Sequence, residues 1–538
     1  MLRVTIIIAV VLQACVAHAD ELEVGQTVFY KLAANASAPE GKADKRATSF
    51  FGDVAEIDGD RVRVGDQWMC RDEVMSADEA DEYYSDLIRK DREDAQPWLR
   101  RAWARFFNDD LDGAFSDSTR AIDLEATANA YSVRARVLAV QEHRDRAVED
   151  FGTAIRLDPG AAAEAYLYRA EVLGEQGKLD GAISDFGESI RLKPSAEAYW
   201  NRARVYMMKK DYEPALEDAD EAVRLAPDAF LPHATRGGVL AAMRRLGEAI
   251  KELSRALELP PPKQRDLVEV YSNRAVAWRE TREPGKALLD LDEALRIDPE
   301  NAAAHYNRGL ARGDLGEHQG AIEDFEAALL VPDKHIKALN GLGHEWLALG
   351  KLDKAIDKFS RAIELDANYV DAHYNRALAW TRKEEFDRAL VDVREAIRLM
   401  PDEYDAQILY ASICVSSRDY ASAIEGYRAA IRIDGESAKS YNGIAWIAAT
   451  CPDEKFRDGK VAVEYATKAC ELTAWKSGGY IDTLAAAYAE TGDFASAIQW
   501  QEKAIGLANS DTEKEELAKH LALYQAGKPL RDEPAERK

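Results

Sequence analysis

Apolar and polar residues alternate in a pattern that keeps returning. Between residues 95 and 508 the same arrangement recurs about every 34 residues. Each period holds two amphipathic stretches of helical spacing joined by a short polar turn. In the ninth period residues 370–380 open the first helix, 384–387 contain the turn, and 388–399 form the second helix, which Pro401 stops. Pro159, Pro194, Pro227 and Pro299 stop their helices in the same way. A small residue marks one place in the first helix: Ala102, Ala135, Ala170, Ala203, Gly237, Ala275, Gly309, Gly343, Ala377, Ala411, Ala445 and Ala485. Another marks the second helix: Ala114, Ala147, Ala182, Ala215, Ala249, Ala287, Ala321, Ala355, Ala389, Ala423, Ala462 and Ala497. Small residues at fixed spacing let helices approach closely. The pattern predicts a mainly α fold, a solenoid of about twelve helix pairs in which each unit buries its apolar face against its neighbours.

Three periods depart from the plain pattern. The fifth is extended by Pro260-Pro261-Pro262, a stiff connection expected to bend the stack. The eleventh carries extra residues at 451–460, and the twelfth starts late, at Gly478-Gly479. Residues 509–526 are expected to hold a capping helix, and 527–538 form a charged tail expected to be disordered. At the other end Ser76 and Glu79 make a capping box, so a helix starts there. Its Ala80, Tyr84 and Leu87 share the register of the later second helices, which marks residues 76–92 as a half-repeat cap.

Residues 20–75 change period. Val24, Val28 and Tyr30 alternate with polar residues, 50–57 reads as a second strand, Asp58-Gly59-Asp60 turns into the alternating Arg61-Val62-Arg63-Val64, and Gly65-Asp66 turns again into 67–70. Short strands and tight turns predict a small β-barrel. This segment resembles a bacterial SH3-like barrel, with Trp68-Met69 in the place of the closing aromatic strand. The resemblance implies binding of peptide or cell-wall material. A capping and docking module for the solenoid is the competing reading.

Two positions of the repeat change together. Arginine precedes the first small residue in eight periods, and an acid stands sixteen residues later in each. The pairs are Arg101 and Asp117, Arg134 and Asp150, Arg169 and Asp185, Arg202 and Asp218, Arg236 and Glu252, Arg274 and Asp290, Arg308 and Asp324, Arg376 and Asp392. The other four periods have Leu342, Tyr410, Ile444 and Leu484 at the first position and Lys358, Gly426, Tyr465 and Trp500 at the second. None of these is acidic. The covariation predicts a structural ion pair between the two helices of each such unit, because a guanidinium can donate twice to one carboxylate. Arginines that bind an acidic ligand are the rival reading.

The period, the small residues and the stopping prolines together make the chain similar to the tetratricopeptide-repeat family over about 410 residues. The resemblance implies a right-handed superhelix whose concave face, lined by first helices, takes extended segments of partner proteins. Asn201, Asn273, Asn307 and Asn375 stand just before four of the paired arginines, at a position that points into the groove in this family. An amide both donates and accepts, so a run of them can hold a peptide backbone. Trp200, Tyr306 and Tyr374 lie beside them and are expected to meet apolar partner residues. Contact with neighbouring helices or water is the alternative. The stretch from Ala445-Trp446 to Cys470-Glu471-Leu472-Thr473 resembles a closing segment of exported bacterial repeat proteins.

Charge and composition narrow the function. The chain has 71 Lys and Arg against 97 Asp and Glu, a formal net charge of -26. That balance disfavours sequence-independent nucleic-acid binding. Arg3, an apolar run at 4–12 and Ala17-His18-Ala19 before Asp20 read as a signal peptide over residues 1–19. Leu12-Gln13-Ala14-Cys15 reads alternatively as a lipobox that anchors the chain through Cys15. The expectation is an exported, periplasmic or secreted protein without a transmembrane span after processing. Cys451 and Cys470 either pair or pack as small buried residues. No catalytic motif, metal-ligand spacing or cofactor loop stands out. The sequence therefore points to a non-enzymatic scaffold for protein or peptide partners. Its rival is an envelope-structural protein whose barrel binds wall material while the repeats act as a spacer.

Overall fold

The computed structural model describes residues 27–30, 51–58, 61–64, 67–70, 74–330 and 336–532. The expected signal peptide, Cys15 and residues 533–538 lie outside the described residues. The chain divides into two compact units, Met1–Asp298 and Pro299–Lys538.

The first unit opens with five strands: β1 (Thr27–Tyr30), β2 (Phe51–Asp58), β3 (Arg61–Val64), β4 (Gln67–Cys70) and β5 (Val74–Met75). They form one antiparallel sheet in the order β4-β3-β2-β1-β5. The expected strands are present and β5 is an addition to them. The described pairings leave β4 and β5 as edges, so closure into an SH3-like barrel is not established by them. Trp68 and Met69 lie in β4, and Phe29 and Met75 are buried.

A helix α1 (Ala77–Lys90) follows, started by the expected capping box: Ser76 N–H donates to Glu79 Oε2 at 2.7 Å, and Glu79 N–H to Ser76 Oγ at 3.2 Å. Its Ala80 and Tyr84 are fully buried in a cluster with Phe29, Met75, Trp103 and Phe106. Phe29 also meets the Phe107 ring edge-on at 5.9 Å between centroids. The sheet is thus built into the first repeat of the solenoid.

Six helix hairpins complete this unit: α2 (Ala95–Phe107) with α3 (Leu111–Leu124), α4 (Ala128–Val140) with α5 (Arg144–Leu157), α6 (Ala163–Glu175) with α7 (Leu179–Leu192), α8 (Ala196–Lys209) with α9 (Tyr212–Leu225), α10 (Phe230–Ala242) with α11 (Leu246–Leu257), and α12 (Asp266–Glu280) with α13 (Pro284–Ile297). The second unit holds six more: α14 (Ala302–Asp314) with α15 (His318–Ala328), α16 (Ile336–Ala348) with α17 (Leu352–Leu365), α18 (Val370–Arg382) with α19 (Phe386–Leu399), α20 (Tyr404–Ser416) with α21 (Tyr420–Ile433), α22 (Ala438–Thr450) with α23 (Gly459–Leu472), and α24 (Gly478–Glu490) with α25 (Phe494–Gly506). A final helix, α26 (Asp511–Gln525), packs on α25 and buries Leu517 and Tyr524. No helix among the described residues is long and apolar enough to cross a membrane.

Every one of the 24 recurring small residues is buried. They sit where the two helices of a hairpin touch, and larger residues would not fit. A Cβ on Gly343 would lie 2.4 Å from the Phe359 ring, and one on Gly309 would lie 2.8 Å from the Phe325 ring. Over-packing of this kind costs about 1–3 kcal/mol. Gly343→Ala is therefore expected to lower stability although alanine is the better helix former. Gly247→Ala, where a Cβ meets nothing within 4 Å, is expected to raise it by about 0.4–1 kcal/mol. Thermal unfolding of the two variants tests the contrast, and the opposite ranking would contradict it.

Eleven of the twelve hairpins turn through one left-handed residue just after the first helix: Asp109, Glu142, Gly177, Lys210, Arg244, Arg282, Gly316, Gly350, Glu384, Arg418 and Gly492. The N–H groups there close the last carbonyls of the helix, as Asp109 N–H does to Phe106 and Asp110 N–H to Arg105. The eleventh hairpin departs. Cys451 stays right-handed in φ (-53°), Pro452 follows, and a 3-10 turn at Glu454–Phe456 carries the chain to α23. Cys414, Cys451 and Cys470 are buried free thiols, and burial pushes the Cys470 thiol up to about 11.

Candidate functional site

Adjacent positions of the first helix face different ways, since each residue turns the helix by about 100°. Counting from the small residue, the arginine one before it points toward the second helices. Positions two before and one after are three residues apart and share another face. First helices of successive hairpins touch, as α6 with α8, α8 with α10, and α10 with α12 do, so these positions line one continuous wall in the first unit.

The arginine side is an ion-pair ladder. All eight pairs predicted by covariation are in contact, at 2.6–2.8 Å. In seven of them Nε and Nη2 donate to the two oxygens of one aspartate, for example Arg202 to Asp218 at 2.7 Å twice. Glu252 is a methylene longer, and there the fork splits: Arg236 Nη1 donates to Glu252 and Nε to Asp220. Asp220 belongs to α9, the second helix of the preceding hairpin. Other arginines reach back likewise, with Arg101 Nη1 donating to Ser85 of α1, Arg274 to Ser254 of α11 and Arg376 to Ser360 of α17. Each such arginine therefore ties three helices. Where the pair is missing, bulk replaces it: a Cβ on Gly426 would meet the Tyr410 ring at 3.0 Å.

Three units add a histidine three residues before the arginine. Nδ1 of His233, His305 and His373 meets Glu252, Asp324 and Asp392 at 2.8, 3.0 and 3.3 Å. Nε2 meets the carbonyls of Pro227, Pro299 and Ala367. A ring with an acceptor at each nitrogen donates at both only when protonated. Asp392 accordingly holds His373 above the usual imidazole range, against burial and the nearby Arg376 charge. The recurring His-x-x-Arg spacing carried this signal in the sequence.

The other face holds the candidate binding surface. In the first unit a cavity of about 340 Å³ opens between α8, α10 and α12, with Glu171 of α6 and Pro262 of the α11–α12 connection at its edges. Trp200, Asn201 and Asn273, all anticipated, line it. Arg204, Met207, Met208, Phe230 and Leu231 line it too and were not anticipated. Of the triple proline, Pro262 lines the cavity. Asn201 is buried, and its Nδ2 donates to Glu171 Oε1 at 3.0 Å. Asn273 is half-buried and its side-chain amide makes no hydrogen bond among the described residues; Gly238 beside it leaves that amide 3.9 Å from a would-be Cβ. Burial, with Glu197 and Glu175 nearby, pushes the Glu171 carboxyl up to about 8, against the opposing charges of Arg136 and Arg204. At neutral pH it is mostly a neutral acid.

A smaller hollow of about 100 Å³ lies nearer the N-terminus of the unit. Arg136 stands there against three rings, 4.2 Å from the Tyr168 centroid, 4.8 Å from Trp103 and 5.3 Å from Phe106. Its Nε is buried without a hydrogen bond.

In the second unit the anticipated residues are spent differently. Asn375 Nδ2 donates to Asn340 Oδ1 at 3.0 Å, which is the helix-contact alternative. Asn307 is half-buried in α14. Tyr306 packs on Phe325 at 5.8 Å, and Tyr374 lies against the apolar cluster of α18, α19 and α20.

Family models match seven stretches of this architecture, some of them overlapping. A TPR repeat model covers residues 285–316 and 343–383. One tetratricopeptide-repeat model covers 133–196, 172–230 and 382–438, and a second covers 302–335 and 481–511. No curated protein matches the chain. Among solved structures, yeast Tom70 is 18% identical over 80% of this chain and 96% of its own, with a TM-score of 0.37. The APC/C hetero-tetramer Cut9-Hcn1 is 13% identical over 79% and 96%, with a TM-score of 0.41. MamA is 22% identical over 31% and 96%, with a TM-score of 0.28.

Proposed function

The chain carries tetratricopeptide repeats, and from that premise we propose that it is a non-enzymatic scaffold holding extended segments of a protein partner on its first-helix faces. Proteins built of such repeats generally mediate contacts between proteins, and scaffold families of this kind are generally not catalysts. The observation that carries the reading is the cavity between α8, α10 and α12. It joins apolar walls to the Asn273 amide, a combination that suits one apolar side chain together with its own peptide bond. The half-exposed Met208 at its rim supplies adaptable apolar surface. Residues 1–19 support work in the cell envelope, since their pattern is that of an export signal.

Display-selected peptides against the full purified chain provide the test. Asn273→Ala and Met208→Asp are each expected to weaken the selected peptides at least tenfold while thermal unfolding stays unchanged. Binding indifferent to both substitutions would refute the reading. The alternative, a wall-binding SH3-like front segment with the repeats as spacer, rests on the strand pattern of residues 20–75. It predicts sedimentation of the full chain with cell-wall material and no peptide selected by the cavity. The packing of Phe29 and Met75 into α1 and α2 favours a docking role for the sheet instead.

A further inference from the structure

The first-helix face of the last two hairpins is already covered. After α26 the chain turns at Gly527, and residues 528–532 return to α22 and α24. This part of the tail, expected to be disordered, has defined contacts. Leu530 joins the apolar cluster of these hairpins. Arg531 pairs with Glu490 of α24 at 2.6 Å, where Glu490 also meets Arg457 at 3.0 Å. Asp532 accepts from the indole Nε1–H of Trp446 at 3.0 Å, and its own N–H donates to the Thr450 carbonyl at 3.0 Å.

The register identifies the surface. Trp446 follows its small residue directly, as Arg204 does. Thr450 and Glu490 stand five beyond theirs, as Met208 does. Arg204 and Met208 line the cavity of the first unit. The tail therefore lies on the repeat-equivalent face of the second unit. The eleventh hairpin explains why it can do so. Without a left-handed residue, and with Pro452 lacking an N–H, the end of α22 leaves the Thr450 carbonyl to an outside donor. A cation such as Arg531 also suits the negative end of the helix.

We propose that the first-helix face of α22 and α24 is a peptide site for extended segments of apolar–basic–acidic order, and that residues 530–532 are its resident, displaceable occupant. This rests on the reading that first-helix faces hold extended segments. One main-chain hydrogen bond fixes the segment, and three side-chain contacts read the order. Because it is tethered, the tail competes at an effective concentration in the mM range. A partner with the same order must outcompete it, so the tail sets a threshold for capture.

The probe is a labelled peptide of residues 526–532, titrated by fluorescence anisotropy into the full chain and into the full chain carrying Arg531→Ala and Asp532→Ala. The double variant is expected to bind the peptide saturably, the unaltered chain at least tenfold more weakly, and a peptide with the basic and acidic residues exchanged not at all. Adding Trp446→Phe to the double variant should weaken binding at least fivefold. Equal binding by both chains, or no binding by a double variant of full helicity, overturns the proposal. Should that variant lose helicity, Arg531→Ala alone, which leaves Glu490 and Trp446 intact for the probe, is expected to weaken retention of the tail and admit the peptide, and no admission overturns it equally. Asn273→Ala should leave all of these readings unchanged, so failure here is distinct from failure of the cavity between α8 and α12.

Discussion

Arg202→Ala will destabilise the first unit by about 3–5 kcal/mol, the cost of leaving a buried carboxylate without its cation. Asp218 is 5% exposed, and both of its oxygens take hydrogen bonds from Arg202. Arg202→Lys should recover little, since an ammonium cannot donate in the same planar fork. Arg376→Ala is expected to cost less near pH 6, because His373 still faces Asp392. That remaining support has a sign. A histidine whose folded value is raised contributes stability below its unfolded value of about 6.5, and the contribution is lost as pH rises through the folded value. The cost of Arg376→Ala should therefore grow above pH 6.5, while that of Arg202→Ala stays flat. Hydrogen exchange resolved by hairpin is the proper measurement, because a stack of repeats need not unfold in one step. A loss below about 1 kcal/mol for Arg202→Ala would place the pair with exposed surface bridges.

Glu171→Gln will stabilise the protein at pH 9 and leave it nearly unchanged at pH 5. The folded chain holds the Glu171 proton from the ordinary value of 4.5 up to about 8. Over that window the folded state binds more protons than the unfolded state, so stability falls as pH rises. At 1.36 kcal/mol per pH unit the upper bound is about 5 kcal/mol. Solvent entering the cavity reduces it. Glutamine keeps an oxygen to accept the Asn201 amide and carries no charge to bury. Denaturant midpoints across the range should slope downward for the unaltered chain and less so for the variant. Parallel slopes would show that Glu171 ionises freely in the fold.

The hairpins were legible because close helix packing demands a small residue at two fixed places, and a fixed demand repeats visibly. The ion pairs were legible for a related reason: when Leu342 or Tyr410 replaces arginine, the acid loses its purpose and disappears as well. The cavity was only half legible. Its asparagines recur, but Glu171, Arg204 and Gly238, one place past the small residue, share no chemistry, so no repeat announces them. The turns were legible, but the left-handed residue within each was not, for the same reason. Left-handed φ is imposed by packing on residues as different as Asp109, Lys210 and Arg418. Tyr306 and Tyr374 also pack between helices, because an aromatic beside a groove position is well placed to fill that gap. The tail resembled solvated charge, and its partners Trp446 and Glu490 lie more than forty positions earlier in the chain.

The backward reach of the arginines gives the stack a direction. Arg101, Arg236, Arg274 and Arg376 each find part of their hydrogen bonding on the hairpin or half-hairpin made before them. A polypeptide leaving the ribosome lays down those acceptors first, so the hairpins that carry these four arginines can lock onto a finished surface as they emerge. For them, synthesis and assembly run in the same sense.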